Sequence, residues 1–194
     1  MSTPTSTPTS TTTFTLPAGL TAGTWAVDPS HSSVGFVARH LMVSKVRGTF
    51  TGFSGSVTIV EGGVGSSVQA TVDTASLSTG DDGRDGHVRG ADFFDVENFP
   101  TMTLVSTDLK PTGDGEFELV ADLTIKGVTK SVSFDLEFVG VATDPWGNVK
   151  AGFSAEAEIS RKEWGLEWNV ALEAGGVLVG DKVKLQLDIQ TVRG

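Results

Sequence analysis

The 194-residue sequence contains no cysteine and no tyrosine. The missing thiols exclude disulfides, thiolate catalysis and cysteine-ligated metal sites together. No apolar run approaches the roughly 18 residues that a membrane-spanning helix requires. An outer-membrane barrel would use girdles of interfacial aromatic residues, which a sequence without tyrosine is poorly suited to supply. These absences argue against a protein that spans a membrane.

Positive charge is also scarce. The chain has 14 Lys and Arg against 24 Asp and Glu, which gives a formal net charge of −10 and a pI near 4.6. Nucleic acids and anionic lipid surfaces attract clustered positive charge. The overall balance therefore argues against a nucleic-acid partner and against capture of the whole chain by an anionic membrane.

The N-terminal stretch MSTPTSTPTSTTTF consists almost entirely of Ser, Thr and Pro. Because such a tract offers little apolar surface to bury, residues 1–20 are predicted to form a disordered tail before one domain at residues 21–194. Phe14, Leu16 and Leu20 are the candidates to anchor the start of the fold. The stretch has neither a basic n-region nor an apolar h-region, so no signal peptide is predicted and the cytoplasm is the expected location.

Apolar and polar residues alternate along most of the remaining chain. In the clearest example, residues 117–125, every second residue is apolar (Phe, Leu, Ala, Leu, Ile). Alternation of this kind predicts antiparallel strands with one face on a core, and closing the sheet removes its exposed edges. Eight or nine such segments in hairpin order therefore predict an all-β fold, an eight-stranded antiparallel barrel. About eight strands leave an interior that side chains just fill, or that holds one small ligand.

The alternation stops for a long connection between Arg84 and Pro100. Compact β domains usually join strands by short loops, so a connection of this length is more typical of function than of passive linkage. It includes the one predicted helix, at about residues 81–91. Two interpretations stay open: the segment covers one side or mouth of the barrel, or Phe93, Phe94 and Phe99 plug its interior.

Few residues match a known catalytic or metal-binding pattern. The spacing of His31, His40 and His87 fits no metal signature, and no metal site is predicted. Asp28, Ser30 and His31 are the residue types of a catalytic triad, but they lie within four residues and no G-x-S-x-G elbow surrounds the serine. No G-x-G-x-x-G or Walker pattern occurs either, so no cofactor is predicted.

The alternating apolar faces predict which side chains point into the barrel. Phe36 lies on one such row, and Phe134 and Phe138 lie on another. His40 ends the row that contains Phe36. A polar residue at the end of an apolar row marks the place where a hydrocarbon-lined pocket would meet water.

Three cationic groups stand out in this acidic sequence. They are Arg39, His40, Lys45 and Arg47; Arg84, His87 and Arg89; and Arg161 with Lys162, beside Trp164 and Trp168. These residues are either ordinary salt-bridge partners or the polar rim of a site for an anionic or strongly polar head group, with guanidinium groups as donors. The residues alone leave both interpretations open.

Four separated segments resemble the YceI-like family. They are TWAVDPSHSSVGFVARHLMVSKVRGTFTGFSG (24–55), HVRGADFFDVENFPTMTLVST (87–107), DLTIKGVTKSVSF (122–134) and ISRKEWGLEW (159–168). Their order covers residues 24 to about 192. The resemblance implies an extended lipocalin-like fold, an eight-stranded antiparallel barrel with a helical crossover.

The resemblance also implies a function. Family members are generally regarded as carriers or binding proteins that hold a long amphiphile with an isoprenoid tail, such as a polyprenyl phosphate or a quinone. The family's motif residues fall here on Arg39 and His40; on His87, Arg89, Asp92, Phe93 and Phe94; and on Arg161, Gly165 and Trp168. Many relatives are exported, whereas this sequence begins with the Ser/Thr/Pro stretch.

We therefore expect a non-catalytic carrier of a polyisoprenoid, polyprenyl phosphate or isoprenoid quinone. Each CH₂ that is buried contributes about 0.8 kcal/mol, so an apolar barrel suits such a tail. The predicted ligand-binding residues are Phe36, Arg39, His40, His87, Arg89, Phe93, Phe94, Phe134, Phe138, Arg161 and Trp168. The alternatives are an enzyme that uses His40 or His87 as acid or base in the same pocket, and a β protein with a filled core. The sequence leaves open whether the protein forms a homodimer.

Overall fold

Antiparallel strands make up most of the structure. The computed structural model describes residues 14–173 and 175–194. Its strands are β1 (Gly23–Val27), β2 (Ser33–His40), β3 (Ser44–Phe50), β4 (Phe53–Ile59), β5 (Ser67–Asp73), β6 (Leu77–Ser78), β7 (Thr101–Pro111), β8 (Glu116–Ile125), β9 (Val128–Thr143), β10 (Val149–Ser160) and β11 (Val179–Arg193). One α-helix, α1 (Asp82–Arg89), and 3-10 turns at Pro29–His31, Thr74–Ser76 and Arg161–Trp164 complete the elements.

Eight of these strands close a barrel. They follow the order β1-β4-β5-β7-β8-β9-β10-β11, and β11 pairs back onto β1, with Trp25 opposite Arg193 and Val27 opposite Thr191. Every pairing is antiparallel, and closure leaves these strands without a free edge. The predicted all-β, eight-stranded antiparallel barrel with a short helix is confirmed.

Three further strands extend one end of the barrel wall. The 15-residue strand β11 is long enough to pair with β1 near its end and with β2 along its first half, where Val183 lies opposite Ala38 and Asp188 opposite Ser33. The strand β3 pairs with β2, and the two-residue strand β6 pairs with β3 at Phe50. The sequence predicted eight or nine strands, and the described residues form eleven.

The predicted alternation is present in the barrel strands. In β8 every second residue from Phe117 to Ile125 is buried. Inward residues of β10 follow the same rule after a register shift at Gly152 and Phe153. On the outer face of β10, Glu156 and Glu158 pair with lysines of β11. Both carboxylates are about half exposed, so this face of the strand is in contact with solvent.

The connection between β5 and β7 contains β6 and α1. The side chain of Asp81 accepts a hydrogen bond from the Arg84 amide at 2.8 Å and so caps the first turn of α1. The helix ends at Arg89 with Gly90 as its C-cap, so the predicted helix at 81–91 is confirmed to within two residues at each end. We call the barrel end that carries α1 and Val179 the crossover end, and the opposite end, which carries Gly23 and Arg193, the terminal end.

The chain enters the fold at the terminal end. Leu20 is buried beside Trp25, and the ring of Phe14 packs on Phe117 with 5.3 Å between centroids. The predicted anchoring by Phe14 and Leu20 is therefore present. Residues 1–13 of the predicted tail lie outside the described residues, and the division of the chain at residue 20 stays a prediction. The described part of the chain includes no helix that is long and apolar enough to cross a membrane.

Candidate functional site

A cavity of about 400 Å³ lies inside the barrel. Its lining extends from His40 and Val179 at the crossover end to Phe14 and Phe138 at the terminal end, and most of it consists of Val, Leu, Ile and Phe side chains. Ligand pockets in proteins commonly measure about 300–1,000 Å³. The third sequence-based interpretation, a barrel filled by its own side chains, does not agree with this space.

Phenylalanines form much of the cavity wall. Phe36 packs on Phe50 at 5.9 Å between ring centroids, and Phe94 meets the same ring edge-on at 5.7 Å. Phe134 is 1% exposed in the middle of the wall, and Phe138 lines the cavity farther toward the terminal end. Phe36, Phe134 and Phe138 thus lie inside the barrel, as the alternation predicted. Their contact with a ligand stays a prediction.

The position of the Phe36 ring depends on a glycine in the neighbouring strand. Gly48 lies opposite Phe36 in the β2–β3 pair. A Cβ atom on Gly48 would lie 2.3 Å from Cζ of Phe36, closer than any real contact. The ring therefore lies directly over the backbone of β3, and the absence of a side chain there leaves the adjacent cavity open.

Polar groups line the cavity at the crossover end. His40 is half-buried on the inner face of β2, and Arg39 also contributes to the lining although most of its side chain is exposed. Arg84, His87 and Thr79 also line the cavity, and they lie on the connection between β5 and β7, residues 74–100, which we call the crossover segment. The apolar interior therefore meets hydrogen-bonding groups at this end, as the position of His40 in the sequence predicted.

His87 belongs to a compact aromatic group. Its ring meets Trp168 edge-on at 4.5 Å and Phe93 at 5.3 Å between centroids. Its Nε2 atom lies 3.0 Å from a carboxylate oxygen of Asp92, which fixes the ring's orientation. The fold thus brings together four residues on which the family motifs fall, from two segments about 75 positions apart in the chain.

Arg161 forms a buried part of the wall beside that group. Its side chain is 5% exposed, Nε donates to the Gly180 carbonyl at 3.0 Å, and Nη1 donates to the Leu166 carbonyl. The guanidinium lies 5.9 Å from the centroid of the Phe93 ring. Burial lowers the pKa of Arg161, and the charge of Asp181 partly opposes that shift. Because its donors are directed at backbone carbonyls, Arg161 ties the 161–166 turn to the start of β11.

Arg89 contacts the backbone of β6 and is not part of the cavity lining. Its Nη2 atom donates to the Leu77 carbonyl, and no atom of Arg89 lines the cavity. Nearby, Asp85 is buried and accepts a 2.8 Å hydrogen bond from the Thr79 amide. Burial raises the pKa of Asp85, but the Thr79 hydrogen bonds and the charges of Arg89 and Arg84 outweigh it, so the net shift is downward. The contact predicted between Arg89 and a ligand stays a prediction, and these contacts favour a role in fixing the crossover segment.

Arg84 and Thr79 were not among the predicted ligand-binding residues. Arg84 donates from Nε to the Thr79 hydroxyl at 2.7 Å and from Nη2 to the Thr79 carbonyl at 3.1 Å, and both residues line the cavity. Residues three and four positions apart share one face of a helix. Applied to the predicted helix, that rule groups Arg84 with His87 and Val88 and excludes Arg89, so a signal for Arg84 was present in the sequence.

The Asp28, Ser30 and His31 cluster is not a triad. Nδ1 of His31 contacts both the Ser30 hydroxyl and the Asp28 carboxylate, each at 2.9 Å. A triad histidine uses one ring nitrogen for each partner. The Asp28 side chain also accepts from the Ser30 amide and so caps the 29–31 turn. In the described ranges, 14–173 and 175–194, no three His, Asp or Glu side chains are arranged to hold a metal ion.

A closed antiparallel barrel with a helical crossover and an apolar internal cavity defines an extended lipocalin-like protein. The model of the YceI-like domain matches residues 25–191. The chain belongs to the YceI-like family, as the four sequence segments predicted.

Relatives and solved structures agree with this assignment. A UPF0312 protein of Staphylococcus aureus strain USA300 is 38% identical over 164 residues, which cover 82% of this chain and 91% of the relative. The crystal structure of BcnA from Burkholderia cenocepacia matches with a TM-score of 0.71 and 26% identity over 84% of this chain and 98% of that one. A polyisoprenoid binding domain from Saccharophagus degradans matches with a TM-score of 0.66 and 15% identity over 90% and 100% of the two chains.

Proposed function

We propose that this protein is a non-catalytic carrier that holds a long amphiphile with an isoprenoid tail inside the barrel. The candidates are a polyisoprenoid, a polyprenyl phosphate and an isoprenoid quinone. The observation that carries the proposal is the cavity of about 400 Å³, which is lined by hydrocarbon along the barrel and by polar groups at one end. This arrangement matches a molecule with a long apolar tail and one polar head.

The orientation of the ligand follows from the same asymmetry. Burial of the tail against Phe36, Phe134 and Phe138 supplies most of the binding free energy, because each buried CH₂ contributes about 0.8 kcal/mol. The head lies at the crossover end, where His40, Arg84 and the neighbouring polar groups offer hydrogen bonds. A charged head would gain most, since hydrogen bonds to charged groups are the stronger ones.

The comparison with the Saccharophagus degradans domain is consistent with this proposal. That protein is described as a polyisoprenoid binding domain. At 15% identity the likeness concerns the fold, so the ligand class for this chain rests on the cavity of its own barrel.

The test uses lipid extraction together with a defined probe. The purified protein is extracted with organic solvent and the extract is analysed by mass spectrometry. Binding of geranylgeraniol is then measured by titration with the wild-type chain and with Ala155→Phe, which places a ring in the cavity. The control, Ser133→Phe, adds the same ring on the outer face of β9.

We expect isoprenoid lipids in the extract, and geranylgeraniol binding that Ala155→Phe abolishes and Ser133→Phe keeps. Equal binding by the wild type and Ala155→Phe would place the ligand outside the barrel and refute the proposal. The enzymatic alternative, with His40 or His87 as acid or base, is tested by recovery of the bound geranylgeraniol. A carrier returns it unchanged, whereas an enzyme acting on it yields a product.

The cytoplasmic location and a homodimer both remain proposals. Fractionation of cells that produce the full chain tests the first. Sedimentation of the purified protein tests the second.

A further inference from the structure

The turn between β2 and β3 presents a cluster of apolar side chains to solvent. Leu41, Met42 and Val43 are 39%, 54% and 82% exposed. Leu41 and Met42 have φ angles of 51° and 59°, in the left-handed region that turns normally fill with Asn or Gly. Both the exposed apolar side chains and the strained backbone conformation of this turn reduce the stability of the fold. Strained backbone of this kind is concentrated at functional segments of proteins.

A neighbouring loop enlarges this apolar surface. The Leu41 amide donates to the Leu178 carbonyl at 2.8 Å, which holds the turn against the start of β11. Val170 and Val177 are exposed in the same loop. Half of the ten exposed large apolar side chains among the described residues therefore lie at this one place. We call Leu41, Met42, Val43, Val170 and Val177 the apolar tip.

Cations flank the apolar tip on the outer face of the hairpin. Arg39 and Lys45 are opposite each other in the β2–β3 pair, and Arg47 follows on the same face of β3. Within the described part of the chain none of the three forms an ion pair. Residues 33–50 contain no Asp or Glu, although the whole chain carries a net charge of −10.

The inner face of the same hairpin leads into the barrel. Ala38, His40 and Val46 line the cavity. The apolar tip, the cationic row and the polar end of the cavity therefore lie together at the crossover end. An apolar insertion flanked by cations matches the interface of an anionic bilayer, where hydrocarbon lies just below a layer of phosphates.

We propose that the β2–β3 hairpin docks the protein on an anionic phospholipid bilayer, with the apolar tip in the interface and Arg39, Lys45 and Arg47 against the phosphates. The net charge of the chain does not prevent this, because exposed charges farther than about 8 Å apart are largely screened at physiological ionic strength. The purpose assigned to docking, transfer of the ligand between bilayer and barrel, rests on the proposed carrier function. A second copy of this chain is the competing occupant.

Vesicle sedimentation tests the docking. The full chain is mixed at 0.15 M salt with vesicles of phosphatidylcholine alone or with 30% phosphatidylglycerol. The variants are Met42→Ser with Val43→Ser, and Lys45→Gln with Arg47→Gln. The controls are Val139→Ser, which removes another exposed valine, and Lys110→Gln, which removes a cation at the terminal end.

We expect the wild type and both controls to bind the anionic vesicles more tightly than the neutral ones. Removal of Lys45 and Arg47 should weaken that binding about thirtyfold, since each surface cation contributes about 1 kcal/mol. Removal of Met42 and Val43 should abolish it. Equal binding by wild type and variants, or no binding by the wild type, overturns the proposal.

Two parallel measurements distinguish membrane docking from the carrier function and from a contact between two copies of the chain. Geranylgeraniol supplied without vesicles should bind the tip variants as tightly as the wild type, so a failure of docking and a failure of the carrier function give different results. Sedimentation of the vesicle-free protein tests the competing occupant. The docking proposal is wrong if the wild type is a dimer that does not bind vesicles and the Met42 and Val43 variant is a monomer. The apolar tip would then be a contact between two copies of the chain.

Discussion

At the scale of single residues, the width of the cavity depends on Gly48. We expect Gly48→Ala to push the Phe36 ring away from β3, because the added methyl group would lie 2.3 Å from Cζ of that ring. Phe36 lines the cavity, so its displaced ring should narrow that space, weaken the binding of geranylgeraniol and cause a small loss of stability. Titration of the probe measures the first effect and thermal unfolding the second. Gly86→Ala, which meets open space on α1, is the control and should bind normally.

His40 and Arg89 illustrate what the sequence reveals about single side chains and what it does not. His40 was predicted at the polar end from its place in an alternating row, and it lies there. Arg89 was predicted together with His87 from the family motif and from the long connection, but a helix turns residues two positions apart to different sides. Arg89 contacts the carbonyl of Leu77. This residue belongs to a two-residue strand, which no pattern in the sequence predicted.

This difference predicts different phenotypes for the two residues. His40→Ala should weaken the binding of geranylgeranyl phosphate about tenfold or more, as expected for the loss of one hydrogen bond to a charged group, and leave the melting temperature unchanged. Arg89→Ala should lower the melting temperature, because the Leu77 carbonyl loses its donor. Titration and thermal unfolding of both variants check this. An Arg89 variant of normal stability with weakened binding would instead support the sequence-based prediction.

Asp28 gives the barrel a pH dependence at its closing seam. The Ser30 hydroxyl, Lys150 and His31 hold the pKa of Asp28 well below its usual value, and the Lys150 ammonium lies 3.0 Å from the carboxylate. The contact joins the end of β1 to the start of β10. Because the pKa is lower in the folded state, the stabilisation is complete above the unfolded value of about 4 and is lost as the pH falls below it.

We therefore expect Asp28→Asn to destabilise the protein at pH 7 by about 1–2 kcal/mol, through weakened hydrogen bonds to a formerly charged group. Denaturant unfolding of the variant and the wild type between pH 7 and pH 2.5 measures the difference. It should shrink as the pH falls below 4. A difference that stays constant with pH would mean that the carboxylate's charge contributes nothing to the seam.

At the scale of elements, the strands were predictable and the extension of the barrel was not. Strands such as β8 bury every second residue, so their period appears directly in the sequence. The helix α1 was predicted from its place in the unpatterned connection and from Gly90. Long-range strand pairings leave no such local signal. The strand β11 pairs with both β1 and β2, and β6 is only two residues long. The pairing of β11 with β2 and the strand β6 build the crossover end, so the shape of that end could not be predicted from local patterns.

The crossover segment should depend on Asp85. This buried carboxylate accepts hydrogen bonds from the Thr79 amide and hydroxyl, and thereby joins α1 to the chain that follows β6. Asp85→Ala should destabilise the protein by about 1–2 kcal/mol, because it leaves the half-buried amide and hydroxyl of Thr79 without their acceptor. Amide hydrogen exchange should rise first between residues 79 and 90. Asp82→Ala, an exposed carboxylate on the same helix, is the control and should change little.

At the scale of the whole molecule, the two ends of the barrel have different constructions. The terminal end is apolar: Phe14 and Leu20 line the cavity there, and Trp25 is buried beside Leu20. The crossover end combines the polar lining of the cavity with the exposed hairpin. A ligand with one polar head therefore has one favoured orientation, and a path in and out is expected at the crossover end.

The proposed carrier function places the ligand in the folded barrel and gives it no site in the unfolded chain, so binding should raise the stability of the whole molecule. At a free concentration one hundred times the Kd, the gain is about 2.7 kcal/mol. For a domain of this size that corresponds to a rise of roughly 5–11 °C in the melting temperature. Thermal unfolding across a geranylgeraniol series measures it, with Ala155→Phe as the matched chain whose cavity is filled. The wild type should rise with concentration and the variant should not. If both rose equally, the probe would stabilise the outer surface, and the cavity would not be the site at which this barrel binds its ligand.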